Sequence, residues 1–476
     1  MQELPVPKQR LLVLTDISNE PDDQQSLVRL LSYSNEYDLE GIVATTSTWL
    51  RKEVRPDIIK RVIGKYGKVR RQLLKHADGY PAAESLSAMV AEHLPEFGMA
   101  GVGPGKATAG TKLIIEAVDR SDERPLWIGV WGGANALAQV LWEVKEQRSS
   151  AEVAAFVDKL RVYSISDQDN AGPWIRENFP GIFYVVTPSP PNAGWYHVAT
   201  WTGIAGDQHY QNAPFHRFEL VDEPWLNEHV RQNHGPLGEE YEVTHYIMEG
   251  DTPSFLGLIR NGLGWPLSPA YGGWAGRYSF YQPPGDSQKI WSNNRASRDK
   301  VLAEDGNYYT SDPATIWRWR QDYQHDFAAR MDWQIQPLTA ANHNPKPVVN
   351  GSSGKSVLRL SAAPGDTLTF SAAKSTDPDN DQLSFEWFLY PEAGTYGGAG
   401  WSRDALRYLP WWEELTGPLT KEVTDQVILD QQKQAITNLY LPPMAEAGDI
   451  HLILRVVDNG TPSLTSYRRI IVEVSE

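Results

Sequence analysis

Along the first two thirds of the chain, short aliphatic runs alternate with polar turns and helical patterns, and each run has the length of a buried strand. LLVLT, residues 11–15, leads into a polar turn, after which Leu27, Leu30 and Leu31 recur at helical spacing. LEGIVATTSTW, from Leu39, repeats the apolar run and predicts a second parallel strand ending near Thr45. Residues 51–74 read as helix with a basic, solvated outer face. PLWIGVW, residues 125–131, is again a strand, followed by Gly132, Gly133 and a helix entered at Ala134; LRVYSIS, residues 160–166, starts the same design once more. This alternation predicts an α/β domain on an open, mostly parallel sheet with helices on both faces.

Residues 180–284 loosen into Trp- and His-rich loops, of which WYHVATWTGIAGDQHY and GPLGEEY are expected to wall or cover a crevice. DPATIWRWRQDYQHDFAARMDW then reads as helix, its Trp317, Trp319 and Trp333 expected in packing; Trp274, in a loop between glycines, is the better candidate for stacking on a sugar. Residues 337–354 are a Pro, Asn and Gly-rich linker. Beyond them the period becomes two, with acidic turns and a D-N-G-T-P hairpin, which predicts an all-β sandwich. The expected organisation is a first domain over 1–336, a linker over 337–354 and a β domain over 355–476.

Length supports this, because 476 residues exceed one ordinary core. A net charge of −16 repels a nucleic-acid backbone, so polymeric nucleic acid is not expected as a partner. The absence of cysteine excludes thiol chemistry and Cys-type zinc sites. No apolar run has the ~18 residues of a membrane span, and the first ten residues read as a polar leader, as in a mature form relieved of a secretion signal. Eighteen Trp, 21 Tyr and 38 Gly are an inventory common in carbohydrate-active proteins.

The candidate chemistry lies on the first turn. Asp16, Glu20, Asp22 and Asp23 follow a strand whose carboxyl end should open on the ligand crevice of such a sheet. Carboxylates this close repel unless a cation or shared proton offsets them, and hard oxygens suit Ca²⁺ or Mg²⁺ rather than zinc. Helix capping is the plainer alternative, since Pro and acids favour a first turn, but it leaves Asp16 unexplained. Asp251, on a Gly-Asp-Thr-Pro turn, is a distant second source of carboxylate, or a cap. Asp167, Asp169 and Asn170 form another polar turn suited to sugar hydroxyls, or an Asx-capped turn. His76 is a further candidate ligand that can equally be structural. AGVGPGKATAG lacks the Gly at 100 and the Ser or Thr at 107 of a phosphate loop, and Asp377, Asp379 and Asp381 lack the remainder of an EF-hand, so both read as ordinary loops.

The segment TDISNEPDDQQSLVRLL, with D-x-S-x-x-x-D-D at Asp16, Ser18, Asp22 and Asp23, resembles the signature of the calcium-dependent nucleoside hydrolases. It is closer to the nucleoside hydrolase-like domain of a bacterial cellulose-binding protein family, whose immunoglobulin-like C-terminal domain the β region also resembles. The resemblance covers roughly residues 8–335 and implies calcium, in preference to magnesium, held by Asp16, Asp23, Asp251 and the backbone carbonyl of Ala134. It further implies sugar contacts from Asp22, Asn135, Asp167, Asp169 and Asn170. Thr48 stands near where the hydrolases carry a sugar-contacting Asn, and Ser18 replaces the aspartate that serves there as metal ligand and base, leaving Glu20 or Asp16 as the base.

Three functions follow in order of expectation. The first is a calcium-dependent hydrolase of a plant-type or furanose-containing glycoside, placed outside the cytoplasm. The second is a non-catalytic cellulose- or carbohydrate-binding protein on the same scaffold. The third is a nucleoside N-ribohydrolase, which Ser18 and Thr48 disfavour.

Overall fold

A computed structural model describes residues 1–189, 194–212, 214–396, 427–443, 445 and 447–475. The chain forms two compact units. One comprises Lys8–Ile259 and Trp274–Ala340. Its eight-stranded sheet runs, edge to edge, Val90–Glu92, Tyr37–Ala44, Gln9–Thr15, Leu126–Val130, Leu160–Ser166, Phe183–Thr187, Ile290–Ser292 and Ser279–Tyr281. Every neighbouring pair is parallel except the last. Gln9–Thr15 and Leu126–Val130 are buried throughout, as strands covered by helices on both faces must be.

Leu12, Leu14, Ile128 and Val130 pack against Ile114, Leu137 and Leu141 of the helices Ala109–Asp119 and Asn135–Gln147. Fully burying one such side chain contributes about 1.5–3 kcal/mol, so this layer fixes the sheet on which the loops are mounted. The helix Pro56–Leu73 buries Ile58, Ile59, Val62, Ile63, Tyr66, Val69 and Leu73 and turns Lys60, Arg61, Lys68 and Arg71 outward, so its basic face is solvated. Trp317, Trp319 and Trp333 are buried packing residues. Among the described residues no helix is long and apolar enough to cross a membrane.

The other unit comprises Met1–Pro7, Arg260–Gly273 and Ala341–Glu476. It is all-β, with a five-stranded sheet in the order Gln2–Leu4, Val357–Ala362, Thr465–Val474, Gly448–Val457 and Ser384–Leu389, and a three-stranded sheet of Thr367–Ser371, Ile436–Tyr440 and Ile428–Leu429. Phe370, Trp387, Leu439, Leu452, Leu454, Ile470 and Val472 form its core.

Two segments that the sequence assigns to the first domain therefore belong to this unit. The polar leader is a strand, Gln2–Leu4, paired antiparallel with Val357–Ala362. Arg260–Gly273 is held by the buried Arg469 guanidinium, which donates to the carbonyls of Leu263 at 2.6 Å, Tyr271 at 2.8 Å and Gly272 at 3.0 Å. Gly262 is required there, because its φ is +102° and a Cβ would fall 1.9 Å from the Tyr467 carbonyl oxygen. Part of the expected linker is ordered as the hairpin Val348–Val349 with Ser352–Ser353. The Asp377 carboxylate closes its acidic turn by accepting the amides of Asp379 at 2.8 Å and Asp381 at 3.1 Å.

Candidate functional site

The strand order of the parallel sheet reverses at Gln9–Thr15, which lies between Tyr37–Ala44 and Leu126–Val130. A crevice opens at the carboxyl ends of strands at such a point. Asp16 leaves the first of these strands directly. Gly132 follows the second, and a Cβ at Gly132 would sit 2.4 Å from Asp16 Oδ1. This glycine therefore makes room for a carboxylate of the protein itself rather than for a ligand. The chain then turns through Ser18, an exposed residue at φ +101°, an uncommon conformation for a side chain and one that concentrates at functional sites.

The helix Pro21–Ser32 starts immediately afterwards, with Asp22 and Asp23 in its first turn. Glu20 occupies the capping position but its side chain makes no capping hydrogen bond, so capping does not account for Glu20, while Asp22 and Asp23 sit in the first turn, where the positive helix end favours acids. Asp23 is buried and accepts the Thr15 hydroxyl, while Thr15 Oγ1 accepts the Ile17 amide at 3.1 Å.

Asp251 is brought to this turn by a buried clamp. The Glu249 carboxylate takes the Arg29 guanidinium at 2.5 and 3.1 Å, the Tyr241 hydroxyl at 2.6 Å and the Thr252 hydroxyl at 2.8 Å. The Glu249 amide donates to Gln25 Oε1 at 3.0 Å. Arg29 and Gln25 lie on the acidic helix, so the 249–252 turn is fixed against it. A Cβ at Gly250 would come within 2.7 Å of Asp22 Oδ2, so the close approach depends on glycine.

Asp22, Asp23 and Asp251 consequently each offer a carboxylate oxygen within 4.8 Å of the others. Burial raises the pKa of all three. It carries Asp22 up to about 8, with the charges of Glu20 and then Asp16 adding to it. Asp23 is raised further by Asp16 and Asp22, and Asp251 by Asp23, Asp22, Asp16 and Glu20. Asp16 is raised by burial against a Ser47 hydrogen bond, and Glu20 by burial and then Asp16.

Asp16 Oδ1, Asp22 Oδ1 and Asp251 Oδ2 are buried with no hydrogen-bond partner among the described residues. Unpaired buried oxygens beside mutually repelling carboxylates fit a hard divalent cation, whose oxygen ligands stand about 2.3–2.6 Å from it and hence up to about 5 Å apart. Asp22, expected to touch sugar, is in the close group; Asp16, expected to ligate, stands beside it.

Glu20, Asp22 and Asp251 also line a cavity of about 400 Å³, together with Trp49, Tyr196, Trp201, His209, Tyr210 and Tyr246. WYHVATWTGIAGDQHY thus does form an aromatic wall. GPLGEEY does not: its Tyr241 is buried in the clamp on Glu249.

The remaining expected site residues are engaged with the protein, although Asp169 Oδ2 is buried with no hydrogen-bond partner among the described residues. Asp167 binds Arg176 in two parallel bonds of 2.8 and 2.9 Å. Asp169 is buried, accepts the Ala171 amide at 2.9 Å and lies against Gly133; burial pushes its pKa up to about 6. Asn170 accepts the Met99 amide at 2.9 Å. Asn135 donates to Thr46 Oγ1 at 3.0 Å and to the Glu96 carbonyl at 2.9 Å. The Ala134 carbonyl accepts the Ala138 amide at 3.0 Å and so points along its helix. Thr48 accepts from Arg51 with its carbonyl at 3.0 Å and its hydroxyl at 3.3 Å. Trp274 is 1% exposed and packs edge to face on Tyr323, which excludes a stacking platform. His76 stacks on Trp333 and meets the Gln336 carbonyl at 3.0 Å.

The sequence expectation that residues 45–49 line the crevice holds for Trp49, whereas sequence reasoning missed Gln168 and the Arg29–Glu249 clamp. Gln168 lines the cavity and donates through Nε2 to the Trp131 carbonyl at 2.9 Å. The strand ends at Ser166, so no alternation of side chains marked Gln168, which is less buried than its neighbours Asp167 and Asp169.

The description "Cellulose-binding Sde182, nucleoside hydrolase-like domain" matches residues 10–278, and "Cellulose-binding protein Sde0182, C-terminal domain" matches residues 367–474. No curated protein matches the chain. Among solved structures, a nucleoside hydrolase-related hypothetical protein from Saccharophagus degradans that is associated with carbohydrate metabolism is 34% identical, with 98% of this chain and 100% of that one covered and a TM-score of 0.79. The effector protein XOO4466 is 13% identical over 70% of this chain and 95% of its own, at a TM-score of 0.32. The type III effector XopQ complexed with adenosine diphosphate ribose is 12% identical over 70% and 96%, at 0.34. The chain belongs to the cellulose-binding Sde182 family and carries that family's nucleoside hydrolase-like fold, followed by its C-terminal all-β domain.

Proposed function

We propose that this protein is a divalent-cation-dependent glycoside hydrolase acting on a plant-type glycan outside the cytoplasm. The observation that carries the reading is the convergence of Asp22, Asp23 and Asp251, two of which, Asp22 and Asp251, have an unpaired buried oxygen and line a cavity of sugar size. Asp22, Asp23 and Asp251 would hold the cation, with Asp16 beside them, and calcium matches their all-oxygen donor set. When bound, the cation supplies positive charge that offsets the carboxylates and lowers the pKa of nearby water.

Glu20 lines the cavity and is not engaged in capping, so it is the residue placed to take the proton from an attacking water. The new bond forms from that water oxygen to the anomeric carbon as the glycosidic C–O bond breaks, through an oxocarbenium-like transition state. The leaving oxygen takes up a proton from solvent at the open side of the cavity.

The family names and the relative's association with carbohydrate metabolism support a glycan over a nucleoside. The test is release of reducing sugar from a panel of oligosaccharides, with and without chelator. Chelation and Glu20→Gln are each expected to abolish turnover, and calcium-independent turnover contradicts the reading.

One observation favours a second reading, binding without turnover. Ser18 occupies the position where nucleoside hydrolases carry their base, and it is exposed. Retention of an insoluble glycan by a calcium-loaded protein that hydrolyses nothing in the panel would decide for it.

A further inference from the structure

Besides the carboxylates the cavity is lined by aromatic rings, and their geometry selects among flat and puckered ligands. Trp49 is 43% and Tyr246 59% exposed, large rings left open beside a charged floor. The rings of the wall meet edge to face: Tyr196 with Trp201 at 77°, Tyr196 with Tyr210 at 79°, Trp201 with Tyr210 at 87°, His209 with Tyr210 at 76° and His209 with Tyr246 at 70°.

A planar base is gripped best by two parallel faces. A herringbone wall instead presents faces and edges in turn, which suits a puckered ring with C–H bonds on its face and hydroxyls around its rim. Two polar atoms of the same wall, Trp201 Nε1 and Gln168 Oε1, are buried with no partner among the described residues, one a donor and one an acceptor. A sugar hydroxyl can serve both roles. An apolar ligand can serve neither, which would leave both groups desolvated.

We infer that this wall binds a pyranose ring of a glycan chain, the unit adjoining the sugar held at the carboxylates, with Trp49 and Tyr246 as its stacking faces. The inference rests on the glycoside reading above and narrows its substrate to a chain of pyranose units.

The test titrates the calcium-loaded full chain with cellotetraose, xylotetraose and inosine, read by calorimetry. At least one tetrasaccharide is expected to bind, and Trp49→Ala and Tyr246→Ala are each expected to weaken it about tenfold. Both variants should keep the wild-type calcium affinity, which shows that they are folded and that the metal site is intact. Failure of both tetrasaccharides to bind, wild-type affinity in both variants, or inosine binding more tightly than either sugar overturns the inference. Loss of calcium binding by the wild type is a different result and overturns the glycoside reading instead.

Discussion

Two acid-rich turns follow neighbouring regions of the same sheet and have opposite fates. In the turn at 167–170 the protein supplies the counter-charge: Arg176 takes Asp167 in two parallel bonds, Asp169 accepts the Ala171 amide and Asn170 the Met99 amide, although Asp169 Oδ2 and Gln168 Oε1 have no partner among the described residues. In the turn at 16–23 no guanidinium among the described residues balances the acids, their mutual repulsion adds to burial, and oxygens of Asp16 and Asp22 stay unpaired. Acidic content does not distinguish the two. What distinguishes them is whether the protein supplies the counter-charge, and a buried turn left unbalanced must hold protons or take up a cation.

The largest effect expected from this contrast is on stability at the balanced turn. Asp167→Ala leaves the buried Arg176 with Asp286 alone, at 2.7 Å, and is expected to cost about 3 kcal/mol in chemical denaturation without altering calcium affinity. Asp251→Asn should do the reverse. Removing one of the repelling carboxylates leaves the metal-free protein at least as stable as wild type, while the rise in Tm produced by calcium is lost.

A pH series sharpens the comparison. The folded pKa of Asp22 is raised to about 8 and those of Asp23 and Asp251 are raised also, so the folded chain holds protons that the unfolded chain has released. The contribution of these acids to metal-free stability is therefore full below about pH 4 and is lost as pH rises toward 8. Saturating calcium should flatten that fall. A metal-free protein that gains stability over the same interval would show that the acids are balanced after all.

The smallest effect expected is from Gly250→Ala. Its Cβ would press on Asp22 Oδ2 at 2.7 Å, and about a tenfold loss of calcium affinity with an unchanged metal-free Tm is expected in calorimetry.

Much of the fold was legible because buried parallel strands are apolar throughout. Runs such as LLVLT and PLWIGVW cannot be solvated, and the acids at their ends must lie in the crevice. The convergence of Asp251 with the first turn was also anticipated, through family likeness rather than through spacing.

What remained illegible was direction. Spacing placed Asp167, Asp169 and Asn135 in turns that follow strands, and Trp274 in a loop between glycines, but did not give the side-chain orientation that buries each. The Arg29–Glu249 clamp was hidden for a related reason: an arginine within LVRLL carries no mark of a partner 220 residues away. Nor does the local pattern show that Gln2–Leu4 and Arg260–Gly273 join the β unit, since both pairings are made with residues distant in sequence.

The account turns on three carboxylates sharing a cation, and calorimetric titration of the metal-stripped full chain with calcium tests it most directly. The expected result is one tight binding event that persists in Asp167→Asn and disappears in Asp251→Asn. Absence of binding by the wild type, or undiminished binding by Asp251→Asn, would contradict it.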